Sequence, residues 1–489
     1  MSVSQRILHF LPKCALASLF ALVLPCSLLQ SATGQAGGDS SGVSAPKTLP
    51  KDFTGWDQSS ASPVNLSDEQ IAAIRKAADH GDPQAEYRMG LLCYAGKNLS
   101  RDYEQAMVWW RNAAEKGNAD AQYALGSAYS IGLALPQDSD QAAIWLRKSA
   151  EQGNARAQYK LGLMYWNGNG VPRDYSQAAI WFRKAAEQGN PDAEYRVGLS
   201  YLVGEKDQAV VWFRKAAEQG NTAAQIALGL AYQSGLGITK DDGQAANWYM
   251  KAAVQGDAVA QYTVGLLYTE GEGLPVDHSA AVHWFRESAD KGNPDAQVVL
   301  GWAYYKGDGI AQDKAQAAIW FRKAAEQGNA EAQQKLGDIL SYDADNPKDY
   351  VQAASWYRKA AEQGRSWAAY NLAMMCLEGR GVPQNYSEAR TYLRLAAEQG
   401  NVNAQFSLGG LLIAGLGGDQ DFVEAYFWYD LAAAGKLQDD SAEEAVKDHE
   451  EAVRQRDLAA SHLTPEQLFS AQARASKWSE EHPPSSGKQ

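Results

Sequence analysis

The sequence predicts an all-α fold, a right-handed α/α superhelical solenoid of about ten helix-pair repeats, on three observations. An alanine recurs at Ala85, Ala121, Ala157, Ala193, Ala224, Ala260, Ala296, Ala332, Ala368 and Ala404, a period of 36 residues with one short unit of 31. Glycine followed by Asn or Asp punctuates the copies, as at Gly117-Asn118, Gly153-Asn154, Gly189-Asn190, Gly256-Asp257 and Gly328-Asn329. A tryptophan recurs in the second half of each copy, at Trp109, Trp145, Trp181, Trp212, Trp248, Trp284, Trp320, Trp356 and Trp428, with Tyr392 in the remaining slot. Self-similarity at such a period marks units that bury their apolar faces only by stacking on their neighbours.

The chain opens with Arg6 and Lys13, an apolar stretch from Ala15 to Leu29, and small residues around Ser31, Ala32, Gly34 and Ala36. We read residues 1–36 as a secretory signal peptide, which implies a periplasmic or secreted protein. The apolar run falls short of the roughly 20 residues that a membrane span needs and is interrupted by Pro25, so no stable membrane insertion is expected after cleavage. A lipid-modified start at Cys26 is the alternative, disfavoured by Pro25. Residues 37–63, rich in Gly, Ser and Pro, read as a flexible leader, and residues 64–84 as an N-terminal capping half-repeat.

The ten repeats occupy residues 85–435. Each starts where glycine can end one helix in the left-handed conformation and Asn or Asp can accept from the free N–H groups of the next. Pro191 and Pro294 follow their Asn at the first helical position, where a missing N–H costs nothing. First helices carry apolar sites at i, i+4 and i+8, as in Ala157, Leu161 and Tyr165, beside a glycine such as Gly126 or Gly162 that admits a neighbouring helix. After a loop such as Gly-Asn-Gly-Val-Pro, the second helix opens with Asp and then Gln three residues on: Asp102/Gln105, Asp138/Gln141, Asp174/Gln177, Asp313/Gln316 and Asp349/Gln352 resemble reciprocal capping boxes. In that helix Ala178, Trp181 and Ala185 share one face, and the tryptophan column reads as core.

The segment from Ala157 to Asn190, AQYKLGLMYWNGNGVPRDYSQAAIWFRKAAEQGN, resembles the consensus of the Sel-like repeat (SLR) family, relatives of the tetratricopeptide repeat. The resemblance implies a scaffold that binds other proteins or peptides, in envelope signalling, quality control of exported proteins or host contact. Cysteine-rich members described as β-lactam-binding or β-lactam-hydrolysing carry a paired cysteine in each repeat, which this chain lacks. Residues 436–482 read as C-terminal capping helices, the last beginning at Thr464-Pro465-Glu466-Gln467, and residues 483–489 as a disordered tail. Three units depart from the pattern. Unit four lacks five loop residues before its second helix, unit eight has Tyr342-Asp343-Ala344-Asp345-Asn346-Pro347 for its loop, and unit nine starts Arg365-Ser366-Trp367.

Chemistry is constrained by what is absent from the pattern. The formal net charge of −13 argues against a nucleic-acid partner. No zinc-helix, P-loop, dinucleotide or nucleophile-elbow motif is present, so no catalytic residue, metal or cofactor is assigned. His278 and His283 are five residues apart, off a common helix face. Cys93 and Cys376 stand where other repeats have tyrosine and read as buried thiols. Partner-binding candidates are Arg88, Lys160, Arg196 and Lys335, all three residues past the repeat alanine, with Trp166, Trp302 and Tyr305 nearby. The competing reading is an envelope hydrolase, acting on β-lactams or cell-wall glycan, with Glu86, Glu194 or Glu270 as acid or base; for these, surface carboxylates are the default.

Overall fold

The structure, a computed structural model, describes residues 66–96, 100–342, 347–435 and 442–482. The expected signal peptide, leader and tail lie outside the described residues, as do Asp343 to Asn346 of the unit-eight loop. Among the described residues there are twenty-three α-helices and no strand. The chain divides into two compact units between Ala252 and Ala253.

The first unit holds α1 (Asp68–Asp79), α2 (Pro83–Ala95), α3 (Tyr103–Glu115), α4 (Ala119–Ile131), α5 (Ser139–Glu151), α6 (Ala155–Asn167), α7 (Tyr175–Glu187), α8 (Pro191–Tyr201), α9 (Lys206–Glu218) and α10 (Thr222–Ser234). The division falls inside α11 (Asp242–Val254). The second unit holds α12 (Ala258–Glu270), α13 (His278–Asp290), α14 (Pro294–Lys306), α15 (Lys314–Glu326), α16 (Ala330–Tyr342), α17 (Pro347–Glu362), α18 (Ser366–Glu378), α19 (Tyr386–Glu398), α20 (Val402–Ala414), α21 (Phe422–Ala434), α22 (Ala442–Ala460) and α23 (Pro465–Glu481). Within each unit, up to α21, an even-numbered helix packs on the odd-numbered helix that follows, and that helix packs on the next pair. Both α22 and α23 lie on α21, burying Ala459, Ala471 and Ala475.

The helix starts follow the local chemistry. Asn118, Asn154, Asn190, Asn221, Asp257, Asn293, Asn329 and Asn401 each accept from the N–H three residues on, at 2.8–3.0 Å. The preceding Gly117 and Gly153 sit at φ +90° and +93°, which a side chain would strain. The second-helix caps differ from the expected reciprocal boxes. Asp102, Asp138, Asp174 and Asp313 do accept from their Gln N–H. Their own N–H groups, however, donate to Cys93, Tyr129, Tyr165 and Tyr304 carbonyls in the helix before, at 2.9–3.0 Å, so the Gln side chain has no N-cap donor to receive. Asp349 is no cap, since α17 starts earlier, at Pro347. Full boxes form at Ser67/Gln70 and Thr464/Gln467, where no helix hairpin competes. In unit four the shortened loop leaves Glu205 at the N-cap with no side-chain cap bond.

The tryptophan column is not the deepest layer. The next residue in each helix is: Trp110, Leu146, Phe182, Phe213, Tyr249, Phe285, Phe321, Tyr357, Leu393 and Tyr429 are all at most 5% exposed. That column faces the first-helix glycines. A Cβ on Gly162 would lie 2.7 Å from Phe182, and one on Gly198 would lie 2.6 Å from Phe213. One residue along a helix rotates about 100°, which moves the tryptophans to the shoulder of the interface. Trp181, Trp248, Trp320 and Trp428 are buried there, while Trp109, Trp145, Trp212, Trp284 and Trp356 are half-buried. A lysine three residues on covers the ring at Trp145, Trp181, Trp212, Trp248, Trp320 and Trp356, with the ammonium 3.7–4.3 Å from the centroid.

A buried amide ladder ties the repeats. The residue after the repeat alanine is Gln122, Gln158, Gln225, Gln261, Gln297, Gln333 or Gln405, and its Nε2 donates to the carbonyl eight residues back at 3.0–3.2 Å. Its Oε1 accepts from the end of the second helix of its own pair: Gln152 donates to Gln122, Gln188 to Gln158, Lys291 to Gln261, Gln327 to Gln297 and Gln363 to Gln333, at 2.7–3.1 Å. A second tie runs from second-helix arginine to first-helix tyrosine hydroxyl, as in Arg111 to Tyr129, Arg147 to Tyr165, Arg183 to Tyr201 and Arg214 to Tyr232, at 2.6–2.9 Å.

Candidate partner-binding clefts

The seven partner-binding candidates separate into two groups and two strays. Arg196 and Trp166 line one cleft of about 70 Å³ in the first unit, with Tyr175, Phe182, Arg183 and Leu199. Lys335, Trp302 and Tyr305 line another of about 130 Å³ in the second unit, with Lys314, Phe321 and Asp338. Arg88 is exposed on α2 and lines neither, and Lys160 lies 5.7 Å from the Tyr123 ring centroid, also outside both.

The clefts occupy the same register. Each is walled by the end of a first helix, the second helix of that pair and the first helix of the next pair, that is α6, α7 and α8, or α14, α15 and α16. Counting from the repeat alanine, Trp166 corresponds to Tyr305, Tyr175 to Lys314, Phe182 to Phe321, Arg196 to Lys335 and Leu199 to Asp338. The floor is the buried phenylalanine pressed against Gly162 or Gly301. Sequence reasoning found the cation and the first-helix aromatics. It missed Tyr175, Lys314 and the floor, because on the second helix only the tryptophan column carried a repeating aromatic signal, and that column reads as core.

The walls are ordered by their own contacts. Trp166 meets Tyr175 edge-on with centroids 4.8 Å apart. Trp302 meets Tyr305 and Phe321 edge-on, both at 5.6 Å, and its Nε1 donates to Glu331 at 2.8 Å. Lys335 Nζ lies 3.0 Å from Asp338 Oδ2 and 5.1 Å from the Trp302 centroid. Asp338 also accepts from the Tyr357 hydroxyl at 2.9 Å, and the burial of that phenol, reinforced by the carboxylate, pushes its pKa upward.

The candidate hydrolase carboxylates do not share one environment. Glu270 is exposed, but Glu86 and Glu194 are 3% and 4% exposed, against the surface placement expected for them. Both occupy the amide-ladder position. Glu86 Oε1 binds Lys116 at 2.6 Å, leaving Oε2 without a hydrogen-bond partner. Glu194 Oε2 accepts from Gln219 at 2.7 Å, and desolvation raises its pKa above the usual carboxylate range against the pull of Lys215. Cys93 and Cys376 are buried free thiols, as expected. Burial pushes the Cys376 thiol up to about 11, and Arg358, lacking a tyrosine hydroxyl at that position, turns to Tyr392 and Glu388. His278 Nδ1 lies 3.0 Å from Asp308. Among the described residues no three His, Cys, Asp or Glu side chains converge, and no helix is long and apolar enough to cross a membrane.

A family model described as Sel1 repeat matches at residues 83–118, 119–154, 155–190, 191–221, 222–257, 258–293, 294–329, 330–364, 368–401 and 402–436. Among solved structures, a protective antigen present in uropathogenic Escherichia coli strains and displaying an SLR fold is 32% identical. It aligns over 87% of this chain and 99% of its own, with a TM-score of 0.45. A Sel1 repeat protein from Oxalobacter formigenes is 33% identical over 70% of this chain and 98% of its own, with a TM-score of 0.49. An immunity protein from Pseudomonas aeruginosa is 21% identical over 46% of this chain and 88% of its own, with a TM-score of 0.30. A comparison with curated proteins gives no match.

Proposed function

From the premise that this chain belongs to the Sel1 repeat family, we propose that it is an exported, non-catalytic scaffold that holds partner proteins or peptides against its repeats. The observation that carries this reading is the recurrence, at one repeat register, of a cleft with an aromatic wall, an apolar floor and a cation on its rim. Chains that fold by repetition keep their architecture through the invariant positions and are free to specialise at the variable ones. Such clefts suit side chains of an extended segment, each too small for affinity alone and useful in combination.

Export rests on the charged start, the apolar run and the small residues that follow it. Periplasmic or secreted location, and roles in envelope signalling, quality control or host contact, belong to this proposal. The hydrolase reading gains no support from Glu86 and Glu194, which are buried and engaged in bonds that tie the two helices of their own pair.

The test is capture from native extract with the purified full chain as bait, beside a variant with Arg88, Lys160, Arg196 and Lys335 all changed to Ala. A discrete protein set lost in the variant supports a scaffold. Capture of nothing specific, together with turnover of a chromogenic β-lactam or release of glycan fragments, overturns it. Fractionation of cells that make the full chain checks export, with a shortened product expected outside the cytoplasm.

A further inference from the structure

We propose that the Arg196 cleft is a recognition site for acidic peptide segments in which a carboxylate neighbours an aromatic or large apolar side chain, a refinement that rests on the scaffold reading. The two clefts differ at one informative position. Where the second has Asp338, the first has Leu199, and Asp338 places a carboxylate 3.0 Å from the Lys335 ammonium. The rim cation at this register is therefore within reach of a carboxylate held over the cleft floor, and the second cleft supplies one from its own chain.

The first cleft supplies none. It carries Arg183 and Arg196 and no acidic lining residue. The Arg183 guanidinium is held by the Tyr201 hydroxyl at 2.8 Å, and among the described residues no carboxylate pairs with Arg196. Two cations over an apolar floor are out of character in a chain of net charge −13, and they complement an anion. A planar guanidinium at the rim suits a carboxylate bidentately, and the Trp166–Tyr175 pair beside the Phe182 floor offers apolar surface to the adjoining side chain. A single-stranded nucleic acid would bring the same combination of anion and ring, but the overall negative charge opposes a long polyanion where it does not oppose a short acidic segment.

The probe is a fluorescein-labelled peptide in which glutamate and phenylalanine alternate between Gly-Ser flanks, titrated with the full chain and followed by anisotropy. Binding is expected to weaken about tenfold in Arg196→Gln and in Trp166→Ala, to fall with added salt, and to be lost when lysine replaces glutamate or serine replaces phenylalanine in the peptide. Asp338→Asn, which keeps an acceptor for Tyr357 while freeing Lys335, is expected to add a second, weaker site, since an ammonium replaces the guanidinium there. Circular dichroism separates loss of binding from loss of fold. Unchanged affinity in folded Arg196→Gln, equal binding of the lysine peptide, or tighter binding of a single-stranded oligonucleotide at the same site would each overturn the proposal. Any of these alongside specific protein capture that survives in Arg196→Gln leaves the scaffold reading standing, whereas absence of all specific capture together with β-lactam or glycan turnover removes the scaffold reading itself.

Discussion

At the residue scale, the residue after the repeat alanine sets how firmly a unit is joined to the one before it. The successor is Gln in seven repeats because an amide can donate backward and accept forward at once. Glu194 keeps only the accepting half. Glu194→Gln restores the donor and is expected to raise stability by about 1 kcal/mol, read as a higher thermal midpoint. The sign with pH follows from the raised pKa. The unfolded carboxyl ionises first, so the folded chain is penalised as pH rises through the carboxylate range. The advantage of Glu194→Gln should therefore grow from pH 4 towards pH 7 and shrink in acid. The two aromatic columns give a second contrast. Phe182→Ala should cost about 3–5 kcal/mol through the cavity it opens at Gly162, whereas Trp145→Ala, at a half-buried shoulder, should cost roughly half as much. Equal losses in chemical denaturation would return the tryptophans to the centre of the core.

At the scale of the helix pair, close approach depends on glycine and correct entry on Asn. Gly162→Ala would set a Cβ 2.7 Å from Phe182 and is expected to destabilise by about 1–3 kcal/mol, while Asn154→Ala, losing the bond to the Ala157 N–H, should cost about 1 kcal/mol. Both are read from shifts in the denaturation midpoint. Helix order, caps and turns were legible in the sequence because their causes are local, an Asn beside a glycine or a proline at the first turn. The tryptophan column reached the core at Trp181, Trp248, Trp320 and Trp428 but was placed too deep elsewhere, for a physical reason. Periodicity shows that tryptophan holds a fixed place but not how deep that place lies. The deeper column is chemically mixed, with Trp, Leu, Phe and Tyr, since any large apolar group fills the space opposite a glycine. The capping boxes were misread because the competing acceptor, a carbonyl of the previous helix, is supplied only by the folded hairpin. The clefts were half legible: Arg196 and Lys335 stood out as cations in a repeated slot near Trp166, Trp302 and Tyr305, but the second-helix wall and the phenylalanine floor depend on how one pair seats on the next.

At the scale of the whole chain, stability is a sum of units and joints, and the end of the stack carries the most exposed liability. Deleting residues after Gly435 would uncover α21, where Tyr426, Phe427 and Leu431 are buried, and is expected to give a soluble-to-aggregated shift in light scattering at unchanged helix content per residue. The amide ladder has a consequence for ancestry as well as for folding. In unit four its rung joins Gln219 to Glu194 across 25 positions of sequence where the others span 30, because the shortfall is absorbed entirely in the loop. That rung closes inside one unit, while the amide's other bond reaches the unit before it, always eight residues back. Recombination that drops or duplicates a whole repeat therefore yields a chain whose rungs still close, and the joints before Glu86, Glu194 and Ala369, where no amide donates backward, are the ones at which a new neighbour would be left with an unanswered carbonyl.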